Sequence, residues 1–154
     1  MQQVPAEEVT PDPVISLKVE AYIDDKYISS SANKIEIYQR LAVLRDDTEV
    51  KDLLEELKDR FGEPTAPVID LLKFTRIKIA AKKIGLTTLQ IEGLTLELNF
   101  GGKVRISPAG FNFLQNKFLK DFKFSNETKT IFIKLETKKN LLDTALMILK
   151  KLEG

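Results

Sequence analysis

Residues 68–100 have the sequence VIDLLKFTRIKIAAKKIGLTTLQIEGLTLELNF, and the spacing of their apolar residues changes at Gly85. Before Gly85, apolar residues occupy most of the circumference of a helix predicted over about residues 68–84, which is typical of a helix buried on several sides. After Gly85 they alternate with polar residues through residues 94–100, which predicts strands joined by a turn at Gly93. This stretch therefore indicates a central helix followed by a sheet.

Two further helices are predicted on the N-terminal side. The first covers about residues 34–45 and follows three serines that can cap it. The second starts after the capping pair Asp46-Asp47 and ends at Gly62, with an apolar stripe at Val50, Leu53, Leu54, Leu57 and Phe61. Residues 14–28 alternate as an extended segment or edge strand would, and the proline-containing residues 1–13 are predicted to be a poorly ordered lead-in.

The C-terminal side is predicted to complete a sheet and to end in a helix. Residues 103–106 are expected to be the third strand of an antiparallel β-meander, and Pro108 opens a short helix. A second hairpin is predicted from residues 121–124 and 130–136, followed by a helix over about residues 138–152. Helices followed by hairpins indicate the α+β class, as one compact domain over residues 14–154.

Composition excludes several kinds of chemistry. The 154 residues contain no histidine and no cysteine, which excludes Ser-His and Cys-His catalysis and zinc sites built on those ligands. The chain has no phosphate-binding glycine loop, and its one Gly-Gly-Lys, at residues 101–103, lies in a predicted turn. We therefore expect no catalytic residue, no metal and no cofactor. An apolar run long enough to cross a bilayer and a signal-like N-terminus are also missing, so a cytoplasmic location is expected.

Charge is distributed unevenly along the chain. Residues 1–72 carry 8 basic and 16 acidic side chains, a net charge of −8, whereas residues 73–154 carry 16 basic and 7 acidic ones, a net of +9. Such a division favours nucleic-acid contact by the basic half or protein contact by the acidic half, unless the two halves neutralise each other in the fold.

The basic half offers one candidate surface for nucleic acid. Five cations crowd the central helix, namely Lys73, Arg76, Lys78, Lys82 and Lys83, and phenylalanines alternate with lysines farther along the chain. Basic residues interleaved with aromatic ones are typical of base-stacking surfaces. The alternative is that the phenylalanines belong to the core and the lysines are solvated, since the helix cations are spread around the helix axis.

The second predicted helix carries the sharper pattern. Its carboxylates Glu49, Asp52, Glu56 and Asp59 fall on one side, almost opposite the apolar stripe. Only Glu56 has a compensating cation at helical spacing, Arg60 at i+4. The pattern predicts either a solvated acidic face or a row of uncompensated carboxylates that binds a cationic partner.

An ordered set of motifs then resembles a known family. The segments AYIDDKYI at 21–28, KIEIYQRL at 34–41 and EELKDRFG at 55–62, with RIK at 76–78 and AKKIGL at 81–86, resemble the C-terminal domain of the bacterial transcription-repair coupling factor family. The resemblance is densest over about residues 15–86.

The resemblance implies a regulatory role. Full-length members are ATP-driven DNA translocases that remove stalled RNA polymerase and recruit UvrA, and they contact polymerase and DNA through other domains. The C-terminal domain packs on a UvrB-like N-terminal module of the same polypeptide, competes with UvrA for it and restrains the motor. By motif position Glu56 and Asp59 would make this contact, with Glu49 and Asp52 adding supporting charge. No membrane partner is implied.

Overall fold

The computed structural model describes residues 11–154, and it confirms the α+β class. In chain order the elements are β1 (Val14–Ser16), α1 (Ser31–Ala42), α2 (Asp47–Phe61), α3 (Ala66–Lys83), β2 (Leu86–Glu92), β3 (Thr95–Phe100), α4 (Pro108–Phe118), a 3-10 turn (Leu119–Asp121), β4 (Phe122–Ser125), β5 (Thr130–Lys134) and α5 (Leu141–Glu153).

The N-terminal helices begin and end where their capping residues place them. The Ser30 hydroxyl accepts a hydrogen bond from the Asn33 amide (3.2 Å) at the start of α1. At the start of α2 the Asp46 carboxylate accepts one from the Glu49 amide (2.9 Å). Each bond satisfies an amide that has no partner within the helix. Gly62, at φ 88°, ends α2 in a conformation that residues with a side chain rarely adopt.

Helix α3 belongs to two hydrophobic cores, as its apolar circumference predicts. Its Ile77, Ala80 and Ala81 are buried in a core that also contains the sheet, α4 and α5. Val68 and Leu72 are buried in a second core with side chains of α1 and α2. The helix therefore holds the α1–α2 pair against the rest of the domain.

The sheet is mixed, with strand order β1-β2-β3-β5-β4. Strand β1 runs parallel to β2, and the other neighbours are antiparallel. The register aligns one row across four strands, Leu89, Leu98, Ile131 and Phe124, on the side that faces the first core. Because side chains alternate along a strand, Gln90, Glu97, Phe132 and Lys123 form the corresponding row on the opposite face.

The prediction that residues 103–106 form the third strand of the meander is wrong. This segment is irregular: the Arg105 amide donates to the Ile84 carbonyl (3.2 Å), and β3 pairs with β5. The pairing with β5 buries Ile131 and Ile133 against the core. Residues 103–106 alternate polar with apolar residues, whereas β5 has the consecutive apolar residues Ile131, Phe132 and Ile133. Local pattern does not show which of the two segments lies beside β3.

The extended segment before α1 is a strand only at its start. The strand ends at Ser16, and the chain then turns away from the sheet at Lys18, which has φ 57°. Leu17 is then buried in the first core, and Ile23 and Ile28 in the second. The segment thus crosses between the cores. Of the predicted lead-in over residues 1–13, residues 1–10 lie outside the described residues.

The double role of α3 gives a stability prediction. Ile77→Ala, at a side chain that is 0% exposed, should lower the free energy of unfolding by about 2–5 kcal/mol, because it leaves a cavity. The matched change Ile35→Ala, at a side chain 57% exposed on α1, should change it by less than about 0.5 kcal/mol. Urea unfolding followed by circular dichroism measures both, and similar midpoints for the two variants would contradict the assignment of Ile77 to the core.

Candidate protein-interaction site

The fold of α2 turns its acidic side away from the core. Val50, Leu53 and Leu57 are each at most 3% exposed on the inner side. On the other side Asp52 and Asp59 are exposed, whereas Glu49 and Glu56 are half-buried. The sequence prediction of four carboxylates opposite an apolar stripe is therefore a fair description of this helix.

Glu56 is bound within the domain by two arginines. Arg40 of α1 forms a two-pronged contact with it, with Nη2 2.8 Å from Oε1 and Nη1 on Oε2, and Arg60 Nη1 lies 3.0 Å from Oε2. Glu36 of α1 closes the cluster, 3.2 Å from Arg60 and 3.6 Å from Arg40. The predicted Glu56–Arg60 pair is present, but Arg40 is an additional partner. Glu56 therefore does not belong to the predicted row of uncompensated carboxylates.

This cluster changes the ionisation of its members. The hydrogen bond from Arg40, followed by that from Arg60, lowers the pKa of Glu56 to about 2. The hydrogen bond to Glu56 in turn raises the pKa of Arg40 above its ordinary value. Two positive and two negative groups shared between α1 and α2 join these helices, which also contribute side chains to the same second core.

The other three carboxylates of the row have no such partner in the described part of the chain. Within residues 11–154, no lysine or arginine nitrogen lies within 4 Å of Glu49, Asp52 or Asp59. An ionised carboxylate can only accept hydrogen bonds, and guanidinium groups are its best-matched donors. Asp52 and Asp59 are consequently the groups on this face that are most available to an external cation.

The five cations proposed for nucleic-acid contact all have acidic neighbours. Lys73 lies 3.1 Å from Asp143, Arg76 3.3 Å from Asp47, Lys78 3.6 Å and Lys82 3.0 Å from Asp12, and Lys83 3.9 Å from Glu153. These pairs neutralise much of the positive charge that the sequence places on α3. The uneven charge of the two halves is thus partly cancelled by contact between them.

Two residues that position α2 escaped the sequence analysis. Asp47 accepts from Arg76 of α3 and also pairs with Lys150 of α5, which ties the start of α2 to both cores. Tyr27 donates its hydroxyl hydrogen toward the carbonyls of Gly62 (2.8 Å) and Leu57 (3.0 Å) at the end of α2. The sequence predicts only a capping role for Asp47, and neither residue carries a local signal for its tertiary partner.

The Glu56 cluster gives a pH prediction. Because the pKa of Glu56 is lowered on folding, its contribution to stability is full above about pH 4.5 and is lost as the pH falls toward 2. Its side chain is 38% exposed, so solvent screening limits that contribution to about 1 kcal/mol. Glu56→Gln should therefore cost about 0.5–1 kcal/mol at pH 7 and little at pH 2.

The control for this prediction is Glu127→Gln, at an exposed glutamate in the β4–β5 turn that has no ion pair among the described residues. It should leave the unfolding free energy unchanged at both pH values. Urea titrations at pH 7 and pH 2 measure the difference. A Glu56→Gln effect that persists undiminished at pH 2 would show that something other than the charge is responsible.

Residues 11–154 contain neither a membrane-spanning helix nor a cluster of potential metal ligands. None of the helices there combines the length and the apolar character that a membrane span requires. In the same part of the chain, no three acidic side chains are grouped as metal ligands would be.

Comparison with known proteins identifies the family. The sequence model of the TRCF domain matches residues 17–111. The transcription-repair-coupling factor of Staphylococcus haemolyticus is 29% identical over 146 residues, and that of Rickettsia bellii is 27% identical over 137 residues. These alignments cover 94% and 89% of this chain, but the chain spans only 12% of the length of either relative.

A solved structure has the same fold. It is described as the C-terminal domain of transcription-repair coupling factor, and it aligns with a TM-score of 0.72 over 92% of this chain and 91% of its own. Sequence identity in that alignment is 22%, so this likeness concerns the fold. The family model, in contrast, covers more than half of the sequence. The chain therefore belongs to the TRCF domain family.

Proposed function

We propose that this chain is the regulatory C-terminal domain of a transcription-repair coupling factor that acts in transcription-coupled DNA repair. In this proposal it packs on the UvrB-like module of the same polypeptide and covers the surface that UvrA would bind. Family membership and the match to relatives over most of the chain support the first part. The observation that carries the second is the exposed pair Asp52 and Asp59, which no cation within residues 11–154 neutralises.

The chemistry of the face suits a reversible contact. Carboxylates at positions 52 and 59 lie two helical turns apart on the same side of α2, so they can be bound together by arginines of one facing surface. Couplings between sites in such switches are typically about 1–3 kcal/mol. Exposed charges contribute modestly to affinity but strongly to association rate and to the choice of partner. A domain that must detach when the motor is activated needs a contact of this strength.

The Glu56 cluster refines the role of the residues implied by the resemblance. Glu56 already has two guanidinium partners, so an arginine of another module would gain less from it than from Asp59. We therefore propose that Asp59 and Asp52 pair with the arginines of the UvrB-like module, with Glu49 adding negative charge. Glu56 acts mainly by fixing α2 against α1, and it contributes to the contact through its exposed part.

The full-length protein is, in this proposal, an ATP-driven DNA translocase, and this chain supplies regulation to it. The alternative function is nucleic-acid contact by α3 and the Phe/Lys-rich C-terminal half. The α3 part is not supported, since each of its five cations lies within 4 Å of a carboxylate. In the C-terminal half, the lysines beside Phe132 are not paired in this way within residues 11–154.

Charge reversal in the full-length protein tests the proposal. Asp52→Arg with Asp59→Arg should raise UvrA binding and basal ATPase about 5–150-fold, because repulsion opens the contact. Neither side chain has an ion-pair partner within residues 11–154, so the unfolding midpoint of the domain should stay unchanged. UvrA affinity by surface plasmon resonance and ATPase rate without polymerase are the measurements.

The matched control is Glu127→Arg with Glu136→Arg, the same four-unit charge change at two exposed glutamates outside α2. It should alter neither quantity. The combination Glu56→Arg with Asp59→Arg is a weaker test, since a third guanidinium beside Arg40 and Arg60 would also loosen α1 from α2. An Asp52→Arg/Asp59→Arg protein with unchanged UvrA affinity would remove the acidic face from the mechanism.

A further inference from the structure

The core face of the sheet is left uncovered at its last strand, β4. Along the row Leu89, Leu98, Ile131 and Phe124, the exposed fraction of the side chain rises from 0% at the first two to 3% and then to 46%. Phe111 of α4, beside Phe122, is 48% exposed. Between them lies an apolar cavity of about 440 Å³, lined by Val104, Ile106, Phe111, Phe122, Phe124 and Ile131. Large side chains around such a hollow are typical of a binding groove.

Strand β4 also has a free edge. It is the terminal strand in the order β1-β2-β3-β5-β4, and within residues 11–154 no strand pairs with its outer side. An unpaired edge presents backbone donors and acceptors that another extended segment can use. The apolar cavity and this edge belong to the same strand.

The opposite face of the sheet is basic at the same place. Lys120, Lys123 and Lys134 surround Phe132 in a second hollow of about 420 Å³, together with Asp121. Within the described part of the chain, none of the three lysines has a carboxylate within 4 Å, in contrast to the five cations of α3. Cations not needed for internal pairing thus collect around the end of the sheet.

We propose that β4 binds an extended segment of another protein, added as a sixth strand, in which apolar residues alternate with acidic ones. Successive side chains of a strand point to opposite faces. Every second residue of the added strand would therefore enter the apolar cavity beside Phe122 and Phe124. The residues between them would lie on the other face, beside Lys123 and Lys120, where a carboxylate is favoured. Charge complementarity thus selects an acidic occupant.

This site is separate from the contact proposed for α2. None of its lining residues belongs to α1 or α2, and β4 packs in the first core, whereas α2 packs in the second. The inference does not rest on the proposed masking of UvrA, so either can fail alone.

The test uses this chain and a fluorescein-labelled peptide of about ten residues, a typical upper strand length, in which Val or Leu alternates with Glu. Fluorescence anisotropy should show saturable binding that weakens in 0.5 M salt. Titration of the isotope-labelled chain should shift the backbone amide signals of β4. A peptide of the same composition with its order scrambled should bind at least about tenfold more weakly, since its side chains no longer alternate.

Two variants locate the site, and each has a matched control. Phe124→Asp and Lys123→Glu, both at exposed positions of β4, should each weaken binding about tenfold or more. Val14→Asp, at a side chain 62% exposed on the opposite edge strand β1, and Lys138→Glu, at an exposed lysine outside both hollows, should leave binding unchanged.

The other possible occupants are outcomes of the same experiment. No binding up to about 1 mM peptide, or binding that is insensitive to both β4 variants, would overturn the proposal. A dimer that sedimentation detects and that Phe124→Asp abolishes would also overturn the proposal, because the occupant would then be a second copy of this chain. Binding of a single-stranded oligonucleotide that Lys123→Glu abolishes, in the absence of peptide binding, would make the basic face a nucleic-acid surface and would also overturn it.

Discussion

The burial of α3 on two sides is the constraint on which the rest of the structure depends. Few helices of a small domain are apolar on most of their circumference, and such a helix must be covered from more than one direction. Here the sheet with α5 covers one side, and α1 with α2 covers the other. Since α2 is fixed by its buried Val50, Leu53 and Leu57, its acidic side can only face outward. The candidate site is thus a consequence of how the second core is closed.

The charges of the domain fall into two groups with different roles. One group is paired internally: the Glu36–Arg40–Glu56–Arg60 cluster joins α1 to α2, and Asp47 with Lys150 and Arg76 joins α2 to α5 and α3. The second group has no internal counterpart within residues 11–154, notably Asp52 and Asp59 on α2. We propose that the first group fixes α1 and α2 relative to each other, and that the second binds a cationic partner. Opposite signs at α2 and β4 would direct different partners to the two surfaces.

Local sequence patterns predicted most of the helices and strands, but they did not predict pairings between residues far apart in the chain. The aspartate cap predicted the start of α2, and the change of period at Gly85 predicted the junction of α3 and β2. Helix α1 covers Ser31–Ala42 and not the predicted residues 34–45, because Ser30 caps it. The turn at residues 101–102 predicts a third strand at residues 103–106, but β5 takes the place beside β3 through a long-range pairing that no local turn indicates. At the site, spacing within α2 found the four carboxylates and Arg60. It could not find Arg40, which approaches from α1. The acidic partners of the α3 cations could not be predicted for the same reason, since they are distant from α3 in the sequence.

We propose that the outward carboxylates of α2 bind a cationic module of the same polypeptide reversibly. The most direct measurement is an NMR titration of the isotope-labelled chain with the purified UvrB-like module of the same protein. The account predicts signal changes centred on the exposed side of α2, at Asp52 and Asp59, that reverse when UvrA is added in excess. Changes confined to other surfaces, or changes on α2 that UvrA does not reverse, would contradict it.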